Sequence, residues 1–78
     1  MEILAFGIVK DIFLATSIDL IVDEDITVGA LKQKLEGRYP QLRGISSYMV
    51  AVNDEYASDD SIIKDSDEVA IIPPVSGG

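Results

Sequence analysis

The segment from Ser17 to Val22 alternates polar and apolar residues in the order Ser-Ile-Asp-Leu-Ile-Val. A period of two places successive side chains on opposite faces, so the pattern predicts a half-buried β-strand. Its inward-facing residues are Ile18, Leu20 and Val22. The stretch from Met1 to Phe6 is apolar except for Glu2, which predicts another strand with Glu2 on its solvent face. We expect these two strands to pair as a hairpin.

Gly7 ends the first predicted strand, and the segment from Ile8 to Phe13 has a mixed pattern. Short apolar runs do not separate helix from loop, so this segment predicts either one helical turn or a compact loop. In both cases the residues expected to face the core are Ile8, Ile12 and Phe13.

Apolar residues recur at spacings of three and four after Thr27, which predicts the main helix of the fold over residues 28–36. Thr27 is a suitable N-cap, because its hydroxyl can accept a hydrogen bond from a free amide of the first turn. The predicted buried stripe consists of Val28, Leu31, Leu35 and Tyr39, with Lys32, Lys34 and Arg38 facing water. Gly37 and Pro40 are expected to mark the end of the helix.

Two further strands are predicted at 48–52 and 68–72, where β-branched and apolar residues cluster. The residues Asn53-Asp54-Glu55 predict a tight turn into a short partner strand at Tyr56. The side chains expected to fill space beneath the sheet are those of Leu42, Ile45, Ile62 and Ile63. The order strand, strand, helix, strand, short strand, strand predicts an α+β fold of the β-grasp (ubiquitin-like) type, a mixed sheet packed on one main helix.

Acidic residues outnumber basic ones by 14 to 6, which gives the chain a net charge of −8. This balance argues against nucleic acid as a partner, because phosphate binding depends on basic side chains. The charge fits a partner with a basic surface. It fits equally well a small protein that is kept soluble by its charge.

The chain contains no cysteine and no histidine. A disulfide, a thiolate metal site and sulfur held on a side-chain thiol are therefore excluded, and the commonest general base is missing. The adjacent carboxylates at positions 23–25 predict a polar turn, because no further ligands converge with them. We expect no metal site and no self-contained catalysis.

At 78 residues the chain has room for one domain with a small core. Its apolar runs are far shorter than the roughly 18 residues that a membrane span needs. The N-terminal segment also lacks the pattern of a signal peptide. We expect a soluble, cytoplasmic protein without a membrane partner.

The last four residues, Val75, Ser76, Gly77 and Gly78, offer few side chains to bury. Pro73 and Pro74 precede them, and proline lacks an amide donor, so sheet pairing is expected to end there. We predict a domain over residues 1–74 and a flexible tail over residues 75–78, which at full extension reaches about 13 Å. Such a tail can carry the Gly78 carboxylate through a narrow channel, although a frayed Gly-Gly end is an alternative interpretation.

Glu2 and Glu68 mark the solvent faces of the first and last predicted strands. Each shares its face with apolar residues, since side chains two positions apart point the same way. The two strands are neighbours in a β-grasp sheet, which predicts an exposed apolar patch at the base of the tail and a partner that covers it. The predicted partner interface consists of Leu4, Phe6, Tyr56, Ala70, Ile72, Pro73 and Pro74. Scattered surface hydrophobic residues are the alternative.

The ending Pro-Pro-Val-Ser-Gly-Gly at residues 73–78 resembles that of the molybdopterin synthase small subunits, a family of ubiquitin-like sulfur carriers. Residues 65–72, Asp-Ser-Asp-Glu-Val-Ala-Ile-Ile, resemble the turn and last strand of the same family. The chain departs from the family at Ser66, where glycine is common. This difference falls in the turn and not in the tail.

The resemblance implies that Gly78 carries sulfur during molybdenum cofactor biosynthesis. An adenylyltransferase similar to ubiquitin-activating enzymes is expected to use ATP to form a glycyl adenylate on Gly78, which a persulfide sulfur donor converts to a thiocarboxylate. The large synthase subunit is expected to admit the tail, with Val75, Ser76 and Gly77 passing through its channel, and to supply the catalytic groups. The implied assembly has two small and two large subunits, and the carrier itself binds no cofactor.

Two other functions share the fold and the Gly-Gly end. One is a sulfur carrier for thiamine or tRNA thiolation, and the other is a ubiquitin-like modifier joined to lysine side chains through Gly78. The Pro-Pro-Val-Ser-Gly-Gly ending favours the molybdopterin carrier. Purification of the protein from its host discriminates among the three functions. A large synthase subunit in the preparation indicates the molybdopterin carrier, a thiazole synthase indicates the thiamine carrier, and covalent conjugates with lysine side chains indicate a modifier.

Overall fold

The structure is a computed structural model that describes residues 1–22, 24–45 and 47–74. Its strands are β1 (Glu2–Ala5), β2 (Ser17–Asp19), β3 (Ile26–Thr27), β4 (Met49–Val52), β5 (Glu55–Tyr56), β6 (Ile62–Ile63) and β7 (Val69–Ile72). Its helices are α1 (Ile8–Phe13), α2 (Val28–Arg38) and a 3₁₀ helix at Pro40–Gly44. All the predicted strands and the predicted main helix are present.

The main sheet of the described chain has five strands in the order β2-β1-β7-β4-β5. β1 runs parallel to β7 and antiparallel to β2, and β4 runs antiparallel to both β7 and β5. A tight turn cannot join parallel strands, and the long connection from β1 to β7 includes α2. This mixed sheet with one main helix confirms the predicted β-grasp fold.

The core lies between the main sheet and α2. β1 contributes Ile3 and Ala5, which pair in register with Val69 and Ile71 of β7. The buried residues of α2 are Val28, Leu31 and Leu35. Glu2, on the opposite face of β1, is exposed, which confirms the predicted direction of the side chains in this strand.

Helix α2 begins as predicted and ends later than predicted. The Thr27 hydroxyl oxygen accepts a hydrogen bond from the Ala30 amide at 3.1 Å, which is the expected N-cap. The helix continues through Gly37 to Arg38, so the prediction that Gly37 marks its end was wrong. Tyr39, the residue before Pro40, is not helical, because proline disfavours helical backbone in the residue preceding it.

A second, two-stranded sheet in the described chain was not predicted. In this sheet β3 pairs with β6, and Ile26 lies opposite Ile63. The carbonyl groups of Ser61 and Asp59 then accept hydrogen bonds from the first amides of α2, at 2.9 and 3.0 Å. The expectation that Ile62 fills the core was wrong, because strand alternation turns Ile63 inward and leaves Ile62 56% exposed.

The segment after β1 forms a helix, α1, which decides between the two alternatives left open by the sequence. Its buried residues are Val9 and Phe13, whereas Ile8 is 54% exposed. The prediction that Ile8 faces the core was therefore wrong, while Ile12 packs half-buried against it. Both pairs, Ile8 with Ile12 and Val9 with Phe13, have the spacing of four that places residues on one helical face. Spacing alone therefore does not decide, and the packing of α1 turns the face with Val9 and Phe13 inward.

Strand β2 is shorter than the predicted 17–22, but the direction of its side chains is confirmed. Leu20 is buried, and Ile18 and Val22 pack half-buried against the core. Leu42 in the 3₁₀ helix is fully buried and Ile45 is half-buried, as expected.

A search of the described residues for membrane-spanning helices found none with the necessary length and hydropathy.

Replacing Leu35 by alanine is expected to lower the free energy of unfolding by about 2–5 kcal/mol, because the change leaves a cavity in the core. The Leu35 side chain is fully buried between α2 and the sheet. Thermal denaturation measures the effect, since each kcal/mol shifts the Tm of a domain of this size by roughly 4–8 °C. As a control, Lys34→Ala on the exposed face should change stability by less than about 0.5 kcal/mol. An unchanged Tm for Leu35→Ala would mean that α2 buries a different face.

Candidate functional site

The exposed face of the main sheet carries a groove that extends along β7 from Glu68 to Ile72. We call it the sheet groove, and its lining residues are Leu4, Phe6, Ala51, Asp54, Tyr56, Glu68, Ala70 and Ile72. Five residues of the predicted partner interface thus lie together: Leu4, Phe6, Tyr56, Ala70 and Ile72. That a partner binds here stays a prediction.

The groove arises from the register of four neighbouring strands. Leu4 pairs with Ala70, Ala70 with Ala51, and Ala51 with Tyr56, so these residues form one row across the sheet. The two alanines in the middle keep the floor low, while the larger Leu4 and Tyr56 side chains rise at its ends. Ala51 was missed by sequence reasoning, because its place in the row follows from pairing and not from local pattern.

Large apolar side chains remain exposed at this site. Phe6 is 45% and Tyr56 is 65% exposed, and Leu4 and Ile72 are half-buried. Met49 on β4 pairs with Ile72 on β7 and is 44% exposed. The sequence analysis did not assign it to the interface. A contiguous apolar patch of this kind is typical of a surface that contacts another protein.

Carboxylates form part of the groove wall. Asp54 and Glu68 line it, and both residues are exposed. An apolar floor with acidic groups at its wall complements a partner surface whose apolar centre is bordered by basic side chains. The net charge of −8 agrees in sign with this local arrangement.

A hydrogen-bond network fixes the hairpin that carries Tyr56. Asn53 and Asp54 form its two-residue turn with φ of 52° and 68°, a backbone region that asparagine and aspartate tolerate. The Asn53 side-chain amide donates to Asp67 at 3.0 Å, and the Asn53 side-chain oxygen accepts from the Glu68 amide at 2.9 Å. The Lys64 backbone amide, and then the Asn53 amide, hold the pKa of Asp67 below its usual value. The turn before β7 is thereby tied to the β4–β5 hairpin.

Pro73 and Pro74, the root of the predicted tail, lie in a second groove, on the flank of the sheet. We call it the flank groove, and its lining residues are Gly7, Ile8, Gly44, Ile45, Pro73 and Pro74. Pro73 and Pro74 therefore line a different groove from the other five residues of the predicted interface. Sequence reasoning missed this groove, because Ile8 was expected in the core.

Gly7 packs directly against the root of the tail. Its φ of +54° with ψ of −133° is a conformation that residues with a side chain rarely adopt. A Cβ atom at this position would lie 3.0 Å from Pro73 Cγ. Position 7 therefore requires glycine for two reasons, its backbone conformation and the small space left by Pro73, which follows β7.

The residues predicted to carry the chemistry, Gly78 with Gly77, Ser76 and Val75, lie outside the described residues. Their roles stay predictions. Within residues 1–22, 24–45 and 47–74, no group of three or more acidic, histidine or cysteine side chains is arranged to hold a metal ion.

Comparison with known proteins gives matches along the whole chain. The sequence profile described as the ThiS family matches residues 3–78. The molybdopterin synthase sulfur carrier subunit of Dictyostelium discoideum is 44% identical over 82 residues, which cover 99% of this chain and 94% of that protein. The similarity to sulfur carrier subunits, which residues 65–78 suggested, is thus confirmed over the full length.

Solved structures confirm the fold. SAMP1 from Haloferax volcanii is 29% identical with a TM-score of 0.81, covering 99% of this chain and 97% of that chain. A complex of subunits 1 and 2 of the molybdopterin-converting factor from Helicobacter pylori contains a chain that is 22% identical with a TM-score of 0.67, covering 99% of this chain and 96% of that chain. The second likeness concerns the fold alone.

Replacing Gly7 by alanine is expected to destabilise the protein by about 1–3 kcal/mol, because alanine is strained at this φ and its Cβ meets Pro73. Urea denaturation measures the change. Adding Pro73→Ala to the variant removes the contact but not the strain, so it should recover only part of the loss.

Gly37→Ala is the matched control for this substitution. Gly37 lies inside α2, and a Cβ there meets no heavy atom of the described residues within 4 Å. Alanine at position 37 should therefore stabilise the helix by roughly 0.5–1 kcal/mol. Wild-type stability for Gly7→Ala would contradict the proposed packing of position 7 against Pro73.

Proposed function

The chain belongs to the ThiS family, and we propose that it is the sulfur-carrying small subunit of a molybdopterin synthase. The observation that carries this proposal is the full-length similarity to the Dictyostelium sulfur carrier subunit, at 44% identity. The ending Pro-Pro-Val-Ser-Gly-Gly at residues 73–78 supports the same function. In this proposal residues 1–74 form the domain that partners recognise, and residues 75–78 form the tail that they use.

The proposed chemistry takes place at the Gly78 carboxylate. A free carboxylate is a poor electrophile, so an adenylyltransferase first joins it to AMP from ATP and releases pyrophosphate. The terminal sulfur of a persulfide then attacks the activated carbonyl carbon and displaces AMP. A second thiol then attacks the donor's sulfur in the resulting acyl disulfide, forms a disulfide with the donor and leaves a thiocarboxylate on Gly78. In this proposal the chain supplies only its terminal carboxylate and no side-chain nucleophile.

The large synthase subunit is the proposed recipient of that sulfur. Two successive thiocarboxylates would convert a pterin precursor to the dithiolene of molybdopterin, within an assembly of two small and two large subunits. The name of the Dictyostelium relative, which is itself called a subunit, supports the existence of such a partner. The large subunit supplies the acid, base and phosphate-binding groups in this proposal, since the chain has no histidine or cysteine.

The sheet groove is the proposed docking site for the large subunit. The exposed aromatic rings of Phe6 and Tyr56 belong to the residue classes that contribute most at interface centres. The groove extends along β7 from Glu68 to Ile72, so that one of its ends, with Phe6 and Ile72, lies where the proposed tail leaves the sheet. A partner seated there would hold the domain close to the entrance of its own active site.

A second candidate function is that of a protein modifier. SAMP1 from Haloferax volcanii, which is described as a small archaeal modifier protein, shares the fold at 29% identity. The modifier function also needs an activated terminal glycine, but it ends in an amide bond to a lysine side chain. Digestion of proteins from the native host and a mass-spectrometric search for lysines carrying the C-terminal glycines discriminate between the two fates of Gly78.

Replacing Phe6 or Ile72 by aspartate is expected to weaken binding to the large subunit, because a charge in an apolar contact loses hydration without gaining a partner. The isolated domain should stay folded, since Phe6 is already 45% exposed. Titration calorimetry with the large subunit from the same organism measures the affinity. Ile62→Asp is the control, because Ile62 is 56% exposed and does not line the sheet groove. Equal affinity of wild type and both variants would remove the sheet groove from the proposal.

Deleting Gly78 is expected to abolish or strongly reduce sulfur transfer while leaving the melting curve near that of wild type. The deletion moves the carboxylate back by about 3.5 Å, and a misplacement of about 1 Å can already cost roughly 10²-fold in rate. The assay incubates the variant with the adenylyltransferase, ATP and a sulfur donor, and detects by mass the replacement of oxygen by sulfur. Addition of the large subunit and the precursor then measures molybdopterin formation.

Gly77→Phe is the companion variant, because it keeps the terminal carboxylate in place but adds bulk to the tail. The phenylalanine side chain should prevent the tail from entering the channel of each partner. The deletion should fail for a different reason, because the terminal carboxylate no longer reaches the reacting groups. Wild-type sulfur loading and molybdopterin formation by the protein that lacks Gly78 would rule out a terminal thiocarboxylate mechanism for this chain.

A further inference from the structure

We propose that the flank groove is a second contact surface for the protein that receives the tail, so that this partner encloses the tail root from two sides. This inference rests on the proposed function, because it assumes that a partner admits residues 75–78 into its active site. It adds a surface that the sheet groove does not include. The occupant to which we commit is the large synthase subunit.

The two grooves are continuous along the chain. On β1 and the residues after it, Phe6 lines the sheet groove while Gly7 and Ile8 line the flank groove. On β7 and the residues after it, Ile72 lines the sheet groove while Pro73 lines the flank groove. The surfaces therefore meet where the chain leaves the sheet, and the tail begins at their junction.

The length of the tail limits how far the partner can be from this junction. Four residues follow Pro74, and a fully extended chain of four residues spans at most about 13 Å. The reacting group of the partner must lie within that distance, and a channel that excludes water also needs walls around the tail. A partner that touched only the sheet groove would leave one side of the tail root in water.

The flank groove has the chemistry of a protein contact. Two isoleucines line it. Ile8, at the start of α1, is 54% exposed, and Ile45 is half-buried against the core. Gly44 leaves the groove open, because a Cβ there meets no heavy atom of the described residues within 4 Å. Pro73 and Pro74 add apolar surface that is already rigid, so its burial costs little conformational entropy.

Two variants test this surface without disturbing the core. Ile8→Asp places a charge in the groove, and an acidic residue is tolerated in the first turn of a helix. Gly44→Gln fills the open space at a position whose φ is not positive. Each should weaken binding of the large subunit from the same organism by at least about tenfold, because an apolar contact is either charged or obstructed.

Each variant has a matched control. Ile62→Asp makes the same change at an isoleucine of similar exposure, and Gly37→Gln makes the same change at a glycine with similar free space. Neither control residue lines the sheet groove or the flank groove. Both controls should bind the large subunit with wild-type affinity, and melting curves of all four variants confirm that they are folded.

The outcomes separate this inference from the proposed function. Weaker binding by Ile8→Asp and Gly44→Gln, with unchanged controls, supports the second contact. Loss of binding by Phe6→Asp, with wild-type affinity for both flank variants, overturns the inference and leaves the proposed function standing. Absence of any binding by the wild-type chain overturns both. Self-association of the wild type that Ile8→Asp abolishes would assign the groove to a second copy and also overturn the inference.

Discussion

The parallel pairing of β1 with β7 holds the two ends of the domain together in the middle of the main sheet. It buries Ile3 and Ala5 against Val69 and Ile71, and it brings two distant parts of the chain to the same end of the sheet. The turn after β1 then lies beside the residues after β7. Gly7 contacts Pro73 for this reason, and the root of the tail acquires a defined surrounding surface.

The same pairing also creates the sheet groove. The row from Leu4 through Ala70 and Ala51 to Tyr56 exists because four strands align in register. Small residues in the middle and large residues at the ends make a groove from a sheet that would otherwise be flat. This groove is the proposed docking site of a chain without histidine or cysteine, and the proposed chemistry needs only the carboxylate of Gly78.

Most of the fold could be predicted from the sequence, because long periodic segments report their buried faces directly. The stripe of Val28, Leu31 and Leu35 and the Thr27 cap were assigned correctly on this basis. The alternation of side chains along β1 and β7 was also sufficient to place Leu4 and Ala70 on the same face of the sheet. These positions depend on local spacing, which the sequence contains in full.

The errors fall where tertiary contacts decide between adjacent apolar residues. In the pairs Ile8-Val9 and Ile62-Ile63, either residue can face the core, and the packing of α1 and the pairing of β6 with β3 make the choice. Strands as short as β3 and β6 show no periodicity, so their sheet could not be predicted. The flank groove follows from the first of these errors, since it needs Ile8 at the surface.

The proposed function requires that the chain carries sulfur on its terminal glycine. The protein is isolated from its native host, in which its partners are present at their normal levels. Intact-mass and fragment-ion spectrometry then detect whether Gly78 carries sulfur. We expect a population in which one oxygen of the Gly78 carboxylate is replaced by sulfur, with the modification confined to the C-terminal fragment. A population in which Gly78 is found only as free carboxylate or as amide linked to lysine side chains would contradict the proposed function.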